Sequence, residues 1–323
     1  MQRIQVQRIE NVYVSEDLGM DSKWLYIAGL CVAAALWGFN FGISRLGMDT
    51  FDPQLFVFLR FGIAVPFFFL ILKLKEGYIG IHLKDVGVLL IVGFVGVTLL
   101  EMIVMYSIEH TTLANASLLN VAPWPIFVAL FSPLFMKENI TSRVIIGGAI
   151  AMLGVSLVIL GGKEGINLSS SHILGNLAAL SVSILGALMN LGCMQLMKKY
   201  SALRVTTWQI MFGVIFLFPF TLDSWQKVSW LSLSSLEFGI IGYNVVFCTI
   251  IAFILWNSCM YRIGATSSNF FRYVVPVAAV VSGFVMYDER LQIWQLLGAI
   301  CMVVGLVWIS MERKVDSQTT SYV

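Results

Sequence analysis

The chain has 323 residues, of which 59% are hydrophobic and only 12% are charged. Soluble domains carry about 25% charged residues, so this composition indicates a protein whose surface largely faces lipid. The net charge of +2 gives no reason to expect a nucleic-acid partner. The five cysteines form no CxxC pair and the three histidines do not cluster, so we predict neither a metal site nor a cofactor.

Apolar segments follow one another along almost the whole chain. At roughly 20 apolar residues per membrane-spanning helix, the length accommodates about ten helices. The short connections between them leave no room for a soluble catalytic domain. The predicted fold is therefore all-α and integral to a membrane, with ten transmembrane helices at 24–46, 53–72, 86–106, 112–134, 143–161, 173–197, 205–221, 236–260, 266–286 and 291–311.

The two ends of the chain are polar. Segment 1–22 has no short apolar core followed by a small-residue cleavage site, so we interpret it as a tail rather than a removable signal peptide. Most of the 20 Lys and Arg residues fall on the same side of the predicted membrane as this tail. The positive-inside rule makes that side cytoplasmic, and an even number of spans places the tail 312–323 there as well.

The second half of the chain repeats the first. A shift of about 151 residues aligns the third to fifth segments with the eighth to tenth. Pro125 then meets Pro276, Glu138 meets Glu289, and the glycines of the fifth segment meet those of the tenth. The two units are 23–161 and 173–311, with five helices each. Because five is odd, the second unit enters the membrane from the opposite side, which predicts two inverted five-helix repeats.

The same residues carry a family resemblance. LNVAPWPIFVALFSPLFMKENITSRVIIGGAIAMLG at 119–154 and FRYVVPVAAVVSGFVMYDERLQIWQLLGAICMVVG at 271–305 resemble the signature half of EamA-type members of the drug/metabolite transporter superfamily. LWGFNF at 36–41 and Leu59-Arg60-Phe61 resemble that family's motifs in the first and second helices. The resemblance covers about residues 24–311. Arg272 departs from it, because that helix is usually apolar.

The resemblance implies a transporter of small molecules with a central cavity that opens alternately to each side. Together with the positive-inside pattern, it implies a multi-pass protein of the cytoplasmic membrane. The expected partners are a small-molecule substrate and the lipid bilayer, and the oligomeric state is left open. The resemblance does not specify the substrate.

Charged side chains within membrane spans are costly and usually functional. At 1.5 Å per residue, Arg60 lies ~10 Å and Glu101 ~8 Å from the outer ends of their helices, which predicts an ion pair between them. Asn40 and Asn120 fall at a similar depth. These four side chains form a predicted outer polar level. The pair either fixes the second helix to the third, or acts as a gate or a substrate contact.

A second polar level is predicted toward the cytoplasm, formed by Asn190, Gln209, Asn257 and Arg272. Either Arg60 or Arg272 could bind an anionic group of the substrate, such as a carboxylate. Arg272 could instead extend to the inner membrane interface. Glu101 could couple transport to a proton gradient by gaining and losing a proton.

Several residues are candidates because of their side-chain type and position. The aromatic residues near the polar levels or the repeat prolines are candidate cavity residues: Trp37, Tyr106, Trp124, Tyr243 and Trp256. Pro123 and Pro125 remove backbone donors in mid-span, which is tolerated where neighbours satisfy the freed carbonyls. Glu138 and Glu289 are interpreted as caps of the helices that follow them.

The combined prediction is a secondary transporter of small organic solutes that works by alternating access. Export of amino acids or related metabolites is preferred, with possible coupling to protons, and multidrug efflux is the alternative. A membrane-embedded enzyme is disfavoured because no intramembrane aspartate pair, Ser/His pair, HExxH or cofactor motif occurs. A passive channel is disfavoured because the polar residues do not line whole helices.

Overall fold

A computed structural model describes residues 20–135, 142–160, 171–263 and 270–310. These residues form ten main helices and no strand. The predicted tails lie almost wholly outside this description, as does Glu138. The helices are α1 Met20–Met48, α2 Pro53–Glu76, α3 Leu83–His110, α4 Leu113–Phe135, α5 Ser142–Leu160, α6 Ser171–Met197, α7 Ala202–Leu217, α8 235–263, α9 Val274–Tyr287 and α10 Ile293–Ser310.

Seven of these helices are long and apolar enough to cross a membrane: α1, α2, α3, α4, α6, α7 and α8. Shorter apolar stretches occur at Val144–Val158, Phe271–Tyr287 and Ile293–Trp308, in α5, α9 and α10. The connection between α7 and α8, residues 218–234, contains 3₁₀ turns at Phe218–Thr221 and Trp230–Ser232 and a short helix at Ser224–Lys227. The chain is therefore a multi-pass membrane protein.

The helix α4 is interrupted at the prolines that the sequence places in mid-span. It consists of Leu113–Val121 and Trp124–Phe135. Pro123 cannot donate to the carbonyl of Leu119, and Ser183 Oγ of α6 donates to that carbonyl at 2.9 Å instead. The hydroxyl of Tyr273 donates to the carbonyl of Ala122 at 3.1 Å. Side chains from neighbouring helices thus satisfy the interrupted backbone, as predicted.

Two helices contain π-helical segments in their middles. These are Phe94–Leu99 in α3 and Tyr243–Ile251 in α8. A π-helical turn takes in an extra residue and rotates everything after it relative to a regular α-helix. Glu101 is the second residue after the first segment, so the direction of its side chain depends on that rotation.

The helices pack in a regular pattern. α1 packs on α8 and α9, while α6 packs on α3 and α4. α2 contacts α7 and α8, α7 also contacts α3, and α5 lies along α10. The largest buried apolar cluster draws on α1, α2, α3, α4, α7, α8 and α9, and includes Phe56, Phe61 and Ala279. This packing surrounds a cavity with helices from both halves of the chain.

Candidate functional site

A cavity of about 210 Å³ lies between six helices. α1, α2, α3 and α4 of the first half line it together with α8 and α9 of the second. Seven residues predicted from the sequence lie on its wall: Trp37, Asn40, Arg60, Glu101, Asn120, Trp124 and Arg272. The remaining lining residues are Phe41, Val104, Val121, Cys248, Phe253 and Val275. Polar side chains from distant parts of the chain therefore meet in one partly aromatic chamber.

Arg60 is buried and held by contacts to α3 and α8. Its Nη1 donates to Glu101 Oε2 at 3.2 Å, so the predicted ion pair forms. Its Nε donates to Thr249 Oγ1 at 3.0 Å, and its Nη2 lies 3.5 Å from Cys248 Sγ. Three of its nitrogens thus contact protein groups, which fixes the direction of the guanidinium group.

Arg272 reaches the same cavity from the start of α9. A 3₁₀ turn at Phe270–Tyr273 precedes the helix and carries this side chain. Its guanidinium carbon lies 4.8 Å from the ring centroid of Trp124 and 5.5 Å from that of Trp256. Its Nε is buried and has no hydrogen-bond partner among the described residues. The side chain therefore points at two indole rings beside the cavity rather than extending to the membrane interface.

Asn40 of α1 lines the cavity. Its side chain is 6% exposed, and its Oδ1 has no hydrogen-bond donor within the described part of the chain. Buried amide oxygens nearly always accept a hydrogen bond, so an unpaired one on a cavity wall marks a position for a donor group. Asn120 of α4 lines the same chamber and is also buried.

Aromatic rings form an apolar part of the wall. The Trp37 ring packs against Phe253 at a centroid distance of 5.4 Å and against Trp256 at 5.2 Å. The Trp37 indole Nε1 donates to the carbonyl of Cys248 at 3.0 Å, which fixes the ring. Trp256 therefore lies behind the wall, in contact with both Trp37 and Arg272.

The remaining predicted residues lie elsewhere. Asn190 is exposed on α6. Gln209 on α7 packs over Gly96 of α3, where its amide occupies the space that a side chain on Gly96 would need. The side chain of Asn257 lies outside the description. We predicted two separate polar levels, whereas Arg272 of the predicted inner level lines the same cavity as Arg60 of the outer one.

The interpretation of Glu289 as a cap of the following helix is wrong. Its Oε2 accepts from the backbone N–H of Leu113 at 2.8 Å, and Leu113 is the first residue of α4. Its Oε1 pairs with Arg45 Nη1 at 2.6 Å. The carboxylate thus stabilises the start of a helix from the other half of the chain. Among the described residues, no group of three or more His, Cys, Asp or Glu side chains could hold a metal ion.

Comparison with known proteins identifies the family. The model of the EamA-like transporter family matches residues 24–160 and again residues 173–311. The chain belongs to this family. Its members are transporters rather than enzymes, so the protein is a membrane transporter with a small-molecule substrate.

Two relatives and one solved structure resemble this chain over most of its length, at low sequence identity. The uncharacterized transporter YetK of Bacillus subtilis (strain 168) is 27% identical over 96% of this chain and 92% of its own length. The probable terminal-alkyne amino-acid exporter of Streptantibioticus cattleyicolor is 22% identical over 87% of this chain and 92% of its own length. A solved crystal structure covers 90% of this chain and 98% of its own chain, with a TM-score of 0.63 and 14% identity, and so shares the fold.

Proposed function

We propose that this protein is a secondary transporter of the cytoplasmic membrane that exports amino acids or related metabolites by alternating access. Ten helices would span the membrane as two inverted five-helix repeats, 23–161 and 173–311. Both termini would lie in the cytoplasm, on the side that carries most of the Lys and Arg residues. The observation that carries the proposal is a cavity in which polar and aromatic side chains from both halves of the chain meet.

The contact between α5 and α10 supports an inverted repeat. A Cβ added at Gly154 would lie 2.5 Å from the carbonyl oxygen of Gly298, and Gly305 packs as closely against the carbonyl of Gly147. The repeat aligns Gly147 with Gly298 and Gly154 with Gly305. Exchanging the two repeats therefore turns the contact Gly154–Gly298 into the contact Gly305–Gly147. Such a pair of equivalent contacts is expected across a two-fold axis.

The positions of the π-helical segments support the same symmetry. They lie in α3 and α8, the third helix of each repeat. Thr98 and Thr249 occupy equivalent places in them, and each bonds to the second helix of the opposite repeat. Thr98 Oγ1 donates to the Gly213 carbonyl at 2.8 Å, and Thr249 Oγ1 accepts from Arg60 Nε at 3.0 Å.

A site between two such halves suits alternating access, because rocking of one half against the other exposes the site to each side in turn. The cavity takes Arg60 and Glu101 from the first half and Cys248 and Arg272 from the second. Glu101 is the candidate coupling residue, since a carboxylate beside an arginine on the cavity wall could exchange a proton with one side and then the other.

The size of the cavity favours metabolites over drugs. Its volume of about 210 Å³ lies below the roughly 300–1,000 Å³ of pockets that hold drug-sized ligands. The relative named as a probable amino-acid exporter supports the same substrate class. Multidrug efflux remains the second candidate, and it requires a wider cavity in another conformation.

Counterflow in proteoliposomes tests the proposal. Vesicles loaded with one unlabelled amino acid are diluted into trace amounts of the same radiolabelled compound. A carrier accumulates the label transiently above equilibrium and saturates with concentration, whereas a channel does neither. Absence of counterflow for amino acids, together with exchange of a bulky cationic drug, would favour the efflux alternative.

A further inference from the structure

The two arginines of the cavity differ in what their nitrogens contact. Arg60 directs three nitrogens at Glu101, Thr249 and Cys248. Arg272 contacts two indole rings, and its buried Nε lacks a hydrogen-bond partner within the described residues. Of the two arginines, Arg272 is therefore the one with hydrogen-bonding capacity left for a ligand.

Contact with aromatic rings suits an anion-binding arginine. A guanidinium group that stacks on a ring keeps its N–H groups at the edge, where they remain available. The planar fork of N–H groups matches a carboxylate in a two-point contact. A guanidinium group inside a membrane domain without a counter-ion is costly, and a bound carboxylate would relieve that cost.

Asn40, on the same cavity wall, presents a hydrogen-bond acceptor where Arg272 presents donors. Its unpaired Oδ1 calls for a hydrogen-bond donor from the ligand. Glu101 also lines the cavity, and Arg60 engages its Oε2 at 3.2 Å. Its negative charge favours a cationic donor over a neutral one nearby. The wall therefore combines a site for a carboxylate with a site for an ammonium group.

We infer that the cavity binds an α-amino acid, with its carboxylate on Arg272 and its amino group on Asn40 Oδ1 near Glu101. The apolar side chain of the ligand packs against Trp37 and Phe253. Arg60 positions Glu101 and does not bind the carboxylate. This inference rests on the proposed transport function and deepens it by naming the ligand groups and the residues that bind them.

The test uses the purified full-length protein and a matched set of ligands. Neutral L-amino acids from alanine to phenylalanine are compared by their binding in detergent. The best ligand is then compared with its amide, its des-amino acid and its decarboxylated amine. We expect the amino acid to bind about tenfold or more tightly than each analogue, because charge-assisted hydrogen bonds are lost. Equal binding of the amide or the des-amino acid would overturn the inference.

Two variants assign the contacts to residues. Arg272→Gln should abolish the preference for the amino acid over its amide, while Arg272→Lys, which keeps the charge, retains part of it. Asn40→Leu should abolish the preference over the des-amino acid and leave the preference for a carboxylate. Asp52→Asn, in a loop outside the cavity, should change neither ratio. Loss of carboxylate preference in Arg60→Lys but not in Arg272→Gln would reverse the assignment and contradict the inference.

Transport measurements separate this inference from the proposed function. Counterflow of a solute that lacks either a carboxylate or an amino group would support a transporter and overturn the assigned ligand class. The Arg272→Gln variant must melt at the same temperature as wild type for this comparison. If such a variant still shows unchanged counterflow of amino acids, the role of Arg272 is overturned, but the proposed transport function is not.

Discussion

Arg45 and Glu289 form an ion pair of 2.6 Å that joins the first half of the chain to the second. Arg45 also donates to the carbonyl of Ile108 at the end of α3, through Nε at 3.0 Å and Nη2 at 2.6 Å. Glu289 accepts from the N–H of Leu113 at the start of α4. One pair of side chains thus connects the ends of α1, α3 and α4 to the turn before α10.

We expect Glu289→Gln to destabilise the protein, because it removes the charge from a half-buried pair and from the start of α4. Loss of charge-assisted hydrogen bonds costs about 2 kcal/mol. For a chain of this size, that lowers the apparent melting temperature by roughly 5 °C. The measurement is thermal unfolding in detergent. Asp52→Asn is the control, since it removes a more exposed pair, with 63% of Lys227 and 31% of Asp52 exposed. Equal shifts in the two variants would contradict this account.

Because α5 and α10 pack closely at their glycines, adding a side chain there should destabilise the protein. A Cβ at Gly298 would lie 2.7 Å from the carbonyl oxygen of Gly154 and 2.5 Å from Val158 Cγ2. Gly298→Ala should therefore force the helices apart and cost about 1–3 kcal/mol. Gly192→Ala on α6 is the matched control, because nothing lies within 4 Å of its added Cβ. Its stability should stay the same or rise slightly. An unchanged melting temperature for Gly298→Ala would argue against this helix contact.

The ion pair between Asp52 and Lys227, which lies in loops, should stabilise the protein only within a limited pH range. The hydrogen bond from Lys227 lowers the pKa of Asp52, with a further contribution from Ser224. The hydrogen bond to Asp52 raises the pKa of Lys227. The stabilisation is therefore present above the ordinary Asp value of about 4 and below the ordinary Lys value of about 10.4. It is lost as pH falls through the Asp52 pKa or rises through that of Lys227.

The melting-temperature difference between wild type and Asp52→Asn should be constant from pH 5 to about 9 and shrink toward acid. A difference that grows toward acid would contradict the assignment.

The sequence predicted much of the cavity wall because charged and amide side chains stand out within apolar helices. Asn40, Arg60, Glu101 and Arg272 could be identified in this way and lie together. Thr249 and Cys248, which contact Arg60, were missed. Small polar side chains are common in membrane helices, so nothing in their sequence context distinguishes these two.

Other residues could not be placed because a depth estimate gives the level of a residue but not the direction of its side chain. Asn190 and Gln209 were assigned to a polar level, yet one is exposed on α6 and the other packs on Gly96. The π-helical segments add to this difficulty, since each rotates the residues after it. Arg272 reaches the cavity because its side chain is long enough to contact Trp124 on another helix.

Glu101 gives a prediction about energy coupling. Glu101→Gln keeps the shape of the side chain but cannot lose a proton. If Glu101 carries the coupled proton, the variant should exchange amino acids across the membrane and yet lose acceleration by an imposed pH gradient. The measurement is radiolabelled flux in proteoliposomes with and without that gradient. Flux that keeps its full pH response in the variant would reduce the Arg60–Glu101 pair to a structural contact between α2 and α3.

The most direct test asks whether the cavity opens to both sides of the membrane. Asn120 lines it and is buried, so Asn120→Cys, in a functional background without the five native cysteines, reports its accessibility. A membrane-impermeant thiol reagent is applied from one side of the vesicles and then, in a separate sample, from the other. The account predicts labelling from both sides and slower labelling when a transported amino acid is present. Labelling from one side only, at a rate that no transported solute changes, would contradict it.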